Sequence, residues 1–138
     1  MKTVDDVLAH FDGLPAVDPE DMIGEWDGEL IPTGHPGERH LGKLRWVGKR
    51  FRGPDDVDPM MCLDERGERH ASDVMGGATL RRVEFRGVST ATMVYDSHPT
   101  FDHFRRVSDD TVMGVMDRKG EDAPLVFTLK RRPSAARA

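Results

Sequence analysis

Cysteine is all but missing from this chain: Cys62 stands alone among 138 residues. One thiol builds neither an intramolecular disulfide nor a thiolate metal cage, and within an apolar stretch it is more often a small core residue than a nucleophile. Aromatic residues are scarce as well, with two Trp, one Tyr and six Phe. Together with a net charge of -5, this argues against nucleic acid, which asks for a basic surface and stacking rings. No apolar run approaches the roughly 20 residues of a transmembrane helix. The opening Met1, Lys2, Asp5, Asp6 also lacks the basic-then-apolar order of a secretory leader, so a cytoplasmic setting is the expectation. Two chemical signatures are absent too. There is no Gly-x-Ser-x-Gly elbow for a hydrolase, and the pairs His35/His40 and His98/His103 do not have the His-Glu-x-x-His spacing of a zinc site. Neither a metal nor a resident cofactor is expected.

What is present is unevenly distributed. Residues 1–30 hold nine acids (Asp5, Asp6, Asp12, Asp18, Glu20, Asp21, Glu25, Asp27, Glu29) against the single base Lys2, so the remainder is net positive. Arg39, Lys43, Arg45, Lys49, Arg50 and Arg52 crowd one stretch. That stretch reads either as a solvated strand face complementing the acidic N-terminal segment, or as a patch for anionic head groups, phosphates or a partner's acidic surface.

Periodicity supplies the architecture. Thr3 and Asp6 form a capping pair before Val4, Val7, Leu8 and Phe11, which share one helical face, so a helix is predicted over 3–12. From Met22 the period drops to two: Met22, Gly24, Trp26, Gly28 and Leu30 lie on one side, and Glu25, Asp27 and Glu29 on the other. Further strands are predicted over 41–47, 57–63, 68–74, 78–86, 88–95, 111–117 and 124–131, separated by Gly-rich and polar turns. Phe101, Phe104 and Val107 at helical spacing behind Thr100 predict one short helix near residues 100–107. A single domain over 1–132 with a flexible tail at 133–138 accounts for the length. About eight short strands without βαβ alternation give a mostly β, antiparallel sandwich or barrel. A helix leading into a Gly-x-Trp strand favours the lipocalin-like (calycin) β-barrel, with Trp26 plugging one end and Gly24 and Gly28 allowing close backbone approach. A PH-like half-open barrel with a capping helix gives nearly the same strand pattern and remains an alternative.

Gly24-Glu25-Trp26-Asp27-Gly28 resembles the signature of the GXWXG-domain family of uncharacterised, mostly microbial proteins. The likeness extends to Phe11-Asp12-x-Leu14-Pro15, Thr33-Gly34-His35-Pro36, Trp46-Val47-Gly48-Lys49-x-Phe51 and Val57-x-Pro59. Tyr95-Asp96-x-x-Pro99-x-x-Asp102-x-Phe104-Arg105-x-Val107 and the run Thr111 to Asp117 resemble the unknown-function module that usually follows. The resemblance implies a GXWXG half at about 20–62 and a second half at about 68–131, neither long enough to close a core alone. It assigns no reaction.

Three functions compete. The leading expectation is non-enzymatic binding of a hydrophobic ligand with an anionic head, a fatty acid or phospholipid, inside a barrel made adaptable by eight methionines. Arg45 and Arg105 would fix the head, with His35, Tyr95 and His98 as supporting donors, while Trp46, Met113, Met116 and Phe127 would line the cavity. Val112, Gly114 and Met116 alternate with Met113 and Val115, both sets apolar or small, so the sequence leaves open which face is inside. A filled core is the competing reading of the same residues. The second function is a small enzyme acting on such a ligand through Asp96, His98 and Asp102 as acid and base, although turn and cap roles explain these residues equally. The third is a protein interaction module docking through the basic stretch, or a barrel holding haem through one axial histidine, as nitrobindin-like proteins do. A homodimer would suit a small barrel with edge strands.

Overall fold

The period-two segments join one continuous antiparallel sheet. In the computed structural model, which describes residues 3–133, nine strands follow in order. They are β1 (Gly24–Leu30), β2 (Trp46–Gly53), β3 (Asp56–Leu63), β4 (Arg69–Ala71), β5 (Ala78–Phe85), β6 (Val88–Tyr95), β7 (Thr100–Ser108), β8 (Thr111–Arg118) and β9 (Leu125–Arg131). Helix α1 (Val4–Asp12) precedes them, and α2 (Gly37–Lys43) lies between β1 and β2. The strands neighbour one another in the order β2-β1-β9-β8-β7-β6-β5-β3, and β2 pairs with β3 to close an eight-stranded barrel. β4 adds only to the outside of β3, so the half-open alternative is set aside. β1 pairs with β9 as well as β2, so strands from both halves of the sequence share one wall. No helix among the described residues is long and apolar enough to cross a membrane. The tail expected at 133–138 lies, beyond Pro133, outside the described residues.

The capping pair forms as its spacing predicts: the Asp6 N–H donates to Thr3 Oγ1 at 3.1 Å, and the Thr3 N–H donates to the Asp6 carboxylate at 3.3 Å. The apolar face of α1, through Val7 and Phe11, packs on Met113, Val115 and Val126 on the outside of the barrel. Val112 and Met116 belong to the interior cluster instead, which decides the face left open by the sequence. After α1, residues 15–17 thread between β6 and β7, where those strands do not pair directly. The Val17 N–H donates to Thr90 Oγ1 at 3.0 Å, the Ala91 N–H to the Val17 carbonyl at 2.8 Å, and the Arg106 N–H to the Pro15 carbonyl at 2.8 Å.

Two expectations fail. The helix near 100–107 is instead β7, paired with β8 from Thr100 opposite Arg118 through Arg106 opposite Val112. Phe101 and Val107 are 36% and 42% exposed, while Phe104 is fully buried, so the three do not share a face. Both sides of β7 are covered, Asp102 and Phe104 inside and His103 and Arg105 outside, and such burial hides a period of two. The strand over 41–47 is mostly helix: α2 ends at Lys43, and β2 begins at Trp46. Leu41, on α2, packs against the interior cluster. Glu38 fixes the approach to the helix by accepting from the Thr33 and His35 N–H groups at 2.9 and 3.2 Å. Arg45, at φ 55°, turns the chain sharply into β2.

Candidate functional site

The two ends of the barrel are occupied differently. At one end Trp26, Met22, Phe51, Phe104, Met93 and Leu129 are essentially inaccessible and fill the interior. The Trp26 indole N–H donates to the Met22 carbonyl at 2.8 Å, and the Arg131 guanidinium lies 4.3 Å from its ring centroid. At the other end lies a cavity of about 430 Å³. Leu41, Leu44, Met60, Met75, Met116 and Leu125 supply its apolar walls, with the rings of Trp46 and Phe127. Those rings meet edge to face at 5.7 Å, and each lies over a glycine. A Cβ on Gly28 would fall 2.3 Å from Trp46 Cη2, and one on Gly114 would fall 2.3 Å from Phe127 Cζ. The second glycine of the Gly-x-Trp-x-Gly motif therefore makes room for Trp46.

A β-bulge sets the polar floor. Between Trp46 and Gly48 the register of β2 against β3 shifts, so Trp46 and Lys49, three residues apart, both border the cavity. A Cβ on Gly48 would come within 1.9 Å of the Trp26 carbonyl oxygen, so only glycine fits this kink. Lys49 and Asp102 are 3% and 2% exposed, and Lys49 Nζ lies 3.1 Å from Asp102 Oδ2. Lys49 also donates to the Pro59 carbonyl at 3.2 Å, and its ammonium stands 5.3, 5.5 and 5.8 Å from the ring centroids of Phe127, Trp46 and Tyr95. Asp102 Oδ1, equally buried, has no hydrogen-bond partner among the described residues. Burial pushes the Asp102 carboxyl up from its usual range, outweighing the opposing pull of the Lys49 ammonium. Burial first, and the Asp102 charge second, hold the Tyr95 phenol well above its ordinary value.

The rim is more open and mixed in charge. His35 accepts the Gly37 N–H at Nδ1 (2.9 Å) and contacts Glu121 through Nε2 at 3.0 Å. Arg118 donates to Thr100 Oγ1 at 3.3 Å, and His98 stands edge-on to Tyr95 at 6.1 Å. Among the described residues no three His, Cys, Asp or Glu side chains converge as a metal ion would require.

Of the residues singled out in the sequence, His35, Trp46, Tyr95, His98, Asp102, Met116 and Phe127 come together at this cavity. Four others lie elsewhere. Arg105 is wholly buried beneath α1, where its Nη1 donates to the carbonyls of Phe11, Asp12 and Leu14 at 3.1, 3.2 and 3.0 Å and its guanidinium covers the Phe11 ring. It caps the end of a helix rather than a ligand. Met113 lies in the cluster under α1, Arg45 is exposed and donates to the Asp64 carbonyl at 2.7 Å, and Asp96 is exposed away from the cavity lining. Half of the basic stretch is paired with acids: Lys49 with Asp102, Arg50 and Arg52 with Asp58 at 2.8 and 2.9 Å, and Arg52 also with Asp56 at 3.0 Å. Sequence reasoning missed Lys49, which it counted within that stretch. The available signal was Gly48, since a glycine inside a strand pattern marks a bulge and a bulge inverts the inside-outside alternation behind it.

An eight-stranded antiparallel barrel, packed at one end and hollow at the other, places the protein among small β-barrels with a ligand-sized end cavity. More narrowly, the chain belongs to the GXWXG family. Residues 9–67 match the GXWXG protein profile, and residues 76–131 match a domain of unknown function (DUF4334). A crystal structure of a protein from Thermomonospora curvata is similar over 92% of this chain and 86% of that one, with 39% identity and a TM-score of 0.89. No curated protein matches the chain at a significant level.

Proposed function

We propose that the protein binds a small, mostly apolar ligand with an anionic head in the open end of its barrel and does not transform it. The observation that carries this reading is the cavity itself. Its volume of about 430 Å³ falls within the ~300–1,000 Å³ of small-molecule sites, and apolar side chains dominate its walls. A volume toward the lower end of that range favours one acyl chain over two, and so a fatty acid over a diacyl phospholipid. Arg118 and His98 at the rim take the head-group role first expected of Arg45 and Arg105. The acid-base reading has less support, because Asp96 stands apart and no hydrogen bond joins His98 to Asp102 among the described residues.

Native mass spectrometry of freshly purified protein, followed by organic extraction, tests the proposal, and the same spectrum registers haem and paired chains. A single-chain acid released in stoichiometric amount is the expected result, with Met116→Trp abolishing uptake while the protein stays folded. A protein that is bare as purified and takes up no fatty acid on titration would overturn it.

A further inference from the structure

A buried ion pair contributes little net stability, because desolvating two charges offsets most of their attraction. The floor of the cavity nevertheless holds one, Lys49 with Asp102, beneath the rings of Trp46, Tyr95 and Phe127, and among the described residues Asp102 Oδ1 has no partner. An unpartnered buried carboxylate oxygen costs on the order of 1–3 kcal/mol or more, so a group that supplies the missing donor gains that amount on arrival. Charge decides which group this is. A second anion at the floor would face Asp102 Oδ1 directly, and a cation would face the Lys49 ammonium with no free countercharge. A methyl terminus would leave the oxygen as it was. A neutral hydroxyl donates to Oδ1, keeps the pair electrically balanced, and leaves its own oxygen free to accept.

From the proposed ligand site, on which this deepening rests, we infer that the floor formed by Lys49 and Asp102 is a subsite for a neutral hydroxyl, so that the ligand carries an alcohol at the end opposite its anionic head. The class is a hydroxylated single-chain acid, inserted hydroxyl first, with its carboxylate left near Arg118.

Calorimetric titration of the intact protein with three matched series, each from eight to twelve carbons, tests this: ω-hydroxy acids, the corresponding ω-fluoro acids and the unsubstituted acids. Fluorine matches the hydroxyl in size and cannot donate. The wild type is expected to bind the best hydroxy acid about tenfold more tightly than its fluoro counterpart. The double variant Lys49→Met with Asp102→Leu, which replaces the pair by apolar groups, is expected to bind the three series alike. Binding of all three series with equal affinity by the wild type would overturn the hydroxyl subsite and leave the cavity reading standing. Binding of none would overturn both. A preference that survives in the double variant would move the subsite elsewhere, and the wild-type series decides the matter even if that variant does not fold.

Discussion

The packed and hollow ends of the barrel are built from the same materials and treat their polar groups in opposite ways. Each end holds a tryptophan and an edge-to-face ring pair, Phe51 with Phe104 at 5.9 Å in one and Trp46 with Phe127 at 5.7 Å in the other. Phe104 and Phe127 are themselves in edge contact at 6.1 Å, so the two groups form one continuous interior. At the packed end, the Trp26 N–H meets a carbonyl and Arg131 covers the ring. At the hollow end, Asp102 is left half satisfied beside the cavity. Buried polar atoms are nearly always paired in folded proteins, so this oxygen is the place where the proposed ligand would complete the pairing.

The largest effect is expected from Trp26→Ala, which removes a fully buried ring and should cost about 3–5 kcal/mol in urea unfolding. Trp46→Ala, at a half-buried ring beside an existing cavity, should cost clearly less while changing ligand uptake. Equal losses would erase the distinction between the ends. Asp102→Leu alone strands the Lys49 ammonium and should cost about 3–5 kcal/mol, most of it recovered when Lys49→Met is added; additive losses would show that the pair is not coupled.

Next in size is Arg105→Met, which removes the side-chain donor from the carbonyls of Phe11, Asp12 and Leu14, of which Phe11 alone keeps the Leu14 N–H. It should destabilise by about 2–3 kcal/mol without altering ligand affinity, and a change in affinity would tie α1 to the site.

The smallest effect is a pH dependence on the outer face. Burial lowers the His103 pKa below its usual 6.5, against the opposing pull of Asp117 and Asp102. The unfolded chain therefore binds the proton more readily than the folded one. This contribution is fully present above pH 6.5 and is lost as pH falls through the folded pKa, with a slope of at most about 1.4 kcal/mol per pH unit. Unfolding curves for wild type and His103→Gln should converge above neutrality and diverge below it; parallel curves would exclude this histidine.

Most of the barrel was legible because its strands announce themselves by alternation and by glycine turns. β6 begins and ends where predicted, and β1, β3, β5, β8 and β9 differ from expectation by a residue or two at their ends. What stayed hidden did so for identifiable reasons. β7 is covered on both faces, by the interior and by α1 with Phe85, so its sequence shows no wet side. α2 begins inside a run of turn residues and has no side-chain cap to signal it. Little more than a third of the cavity lining was anticipated, chiefly its aromatic and methionine residues and Asp102, yet Lys49, the partner of Asp102 in the polar floor, was not. Charge counting placed Lys49 on the surface with its neighbours, and only the kink at Gly48 turns it inward. The same ambiguity put Met113 and Arg105 inside, since a strand sandwiched between a core and a helix is apolar on both sides.

The threading of residues 15–17 between β6 and β7, and the pairing of β1 with β9, bear on how the chain is made. A ribosome releases β1 first and β9 last, so the opening strand waits through nearly the whole of translation with one hydrogen-bonding edge exposed. Its outward Glu25, Asp27 and Glu29 suit that interval, because like charges along an exposed edge discourage two nascent chains from pairing. These three acids of the N-terminal segment thus bear on pairing before the barrel exists.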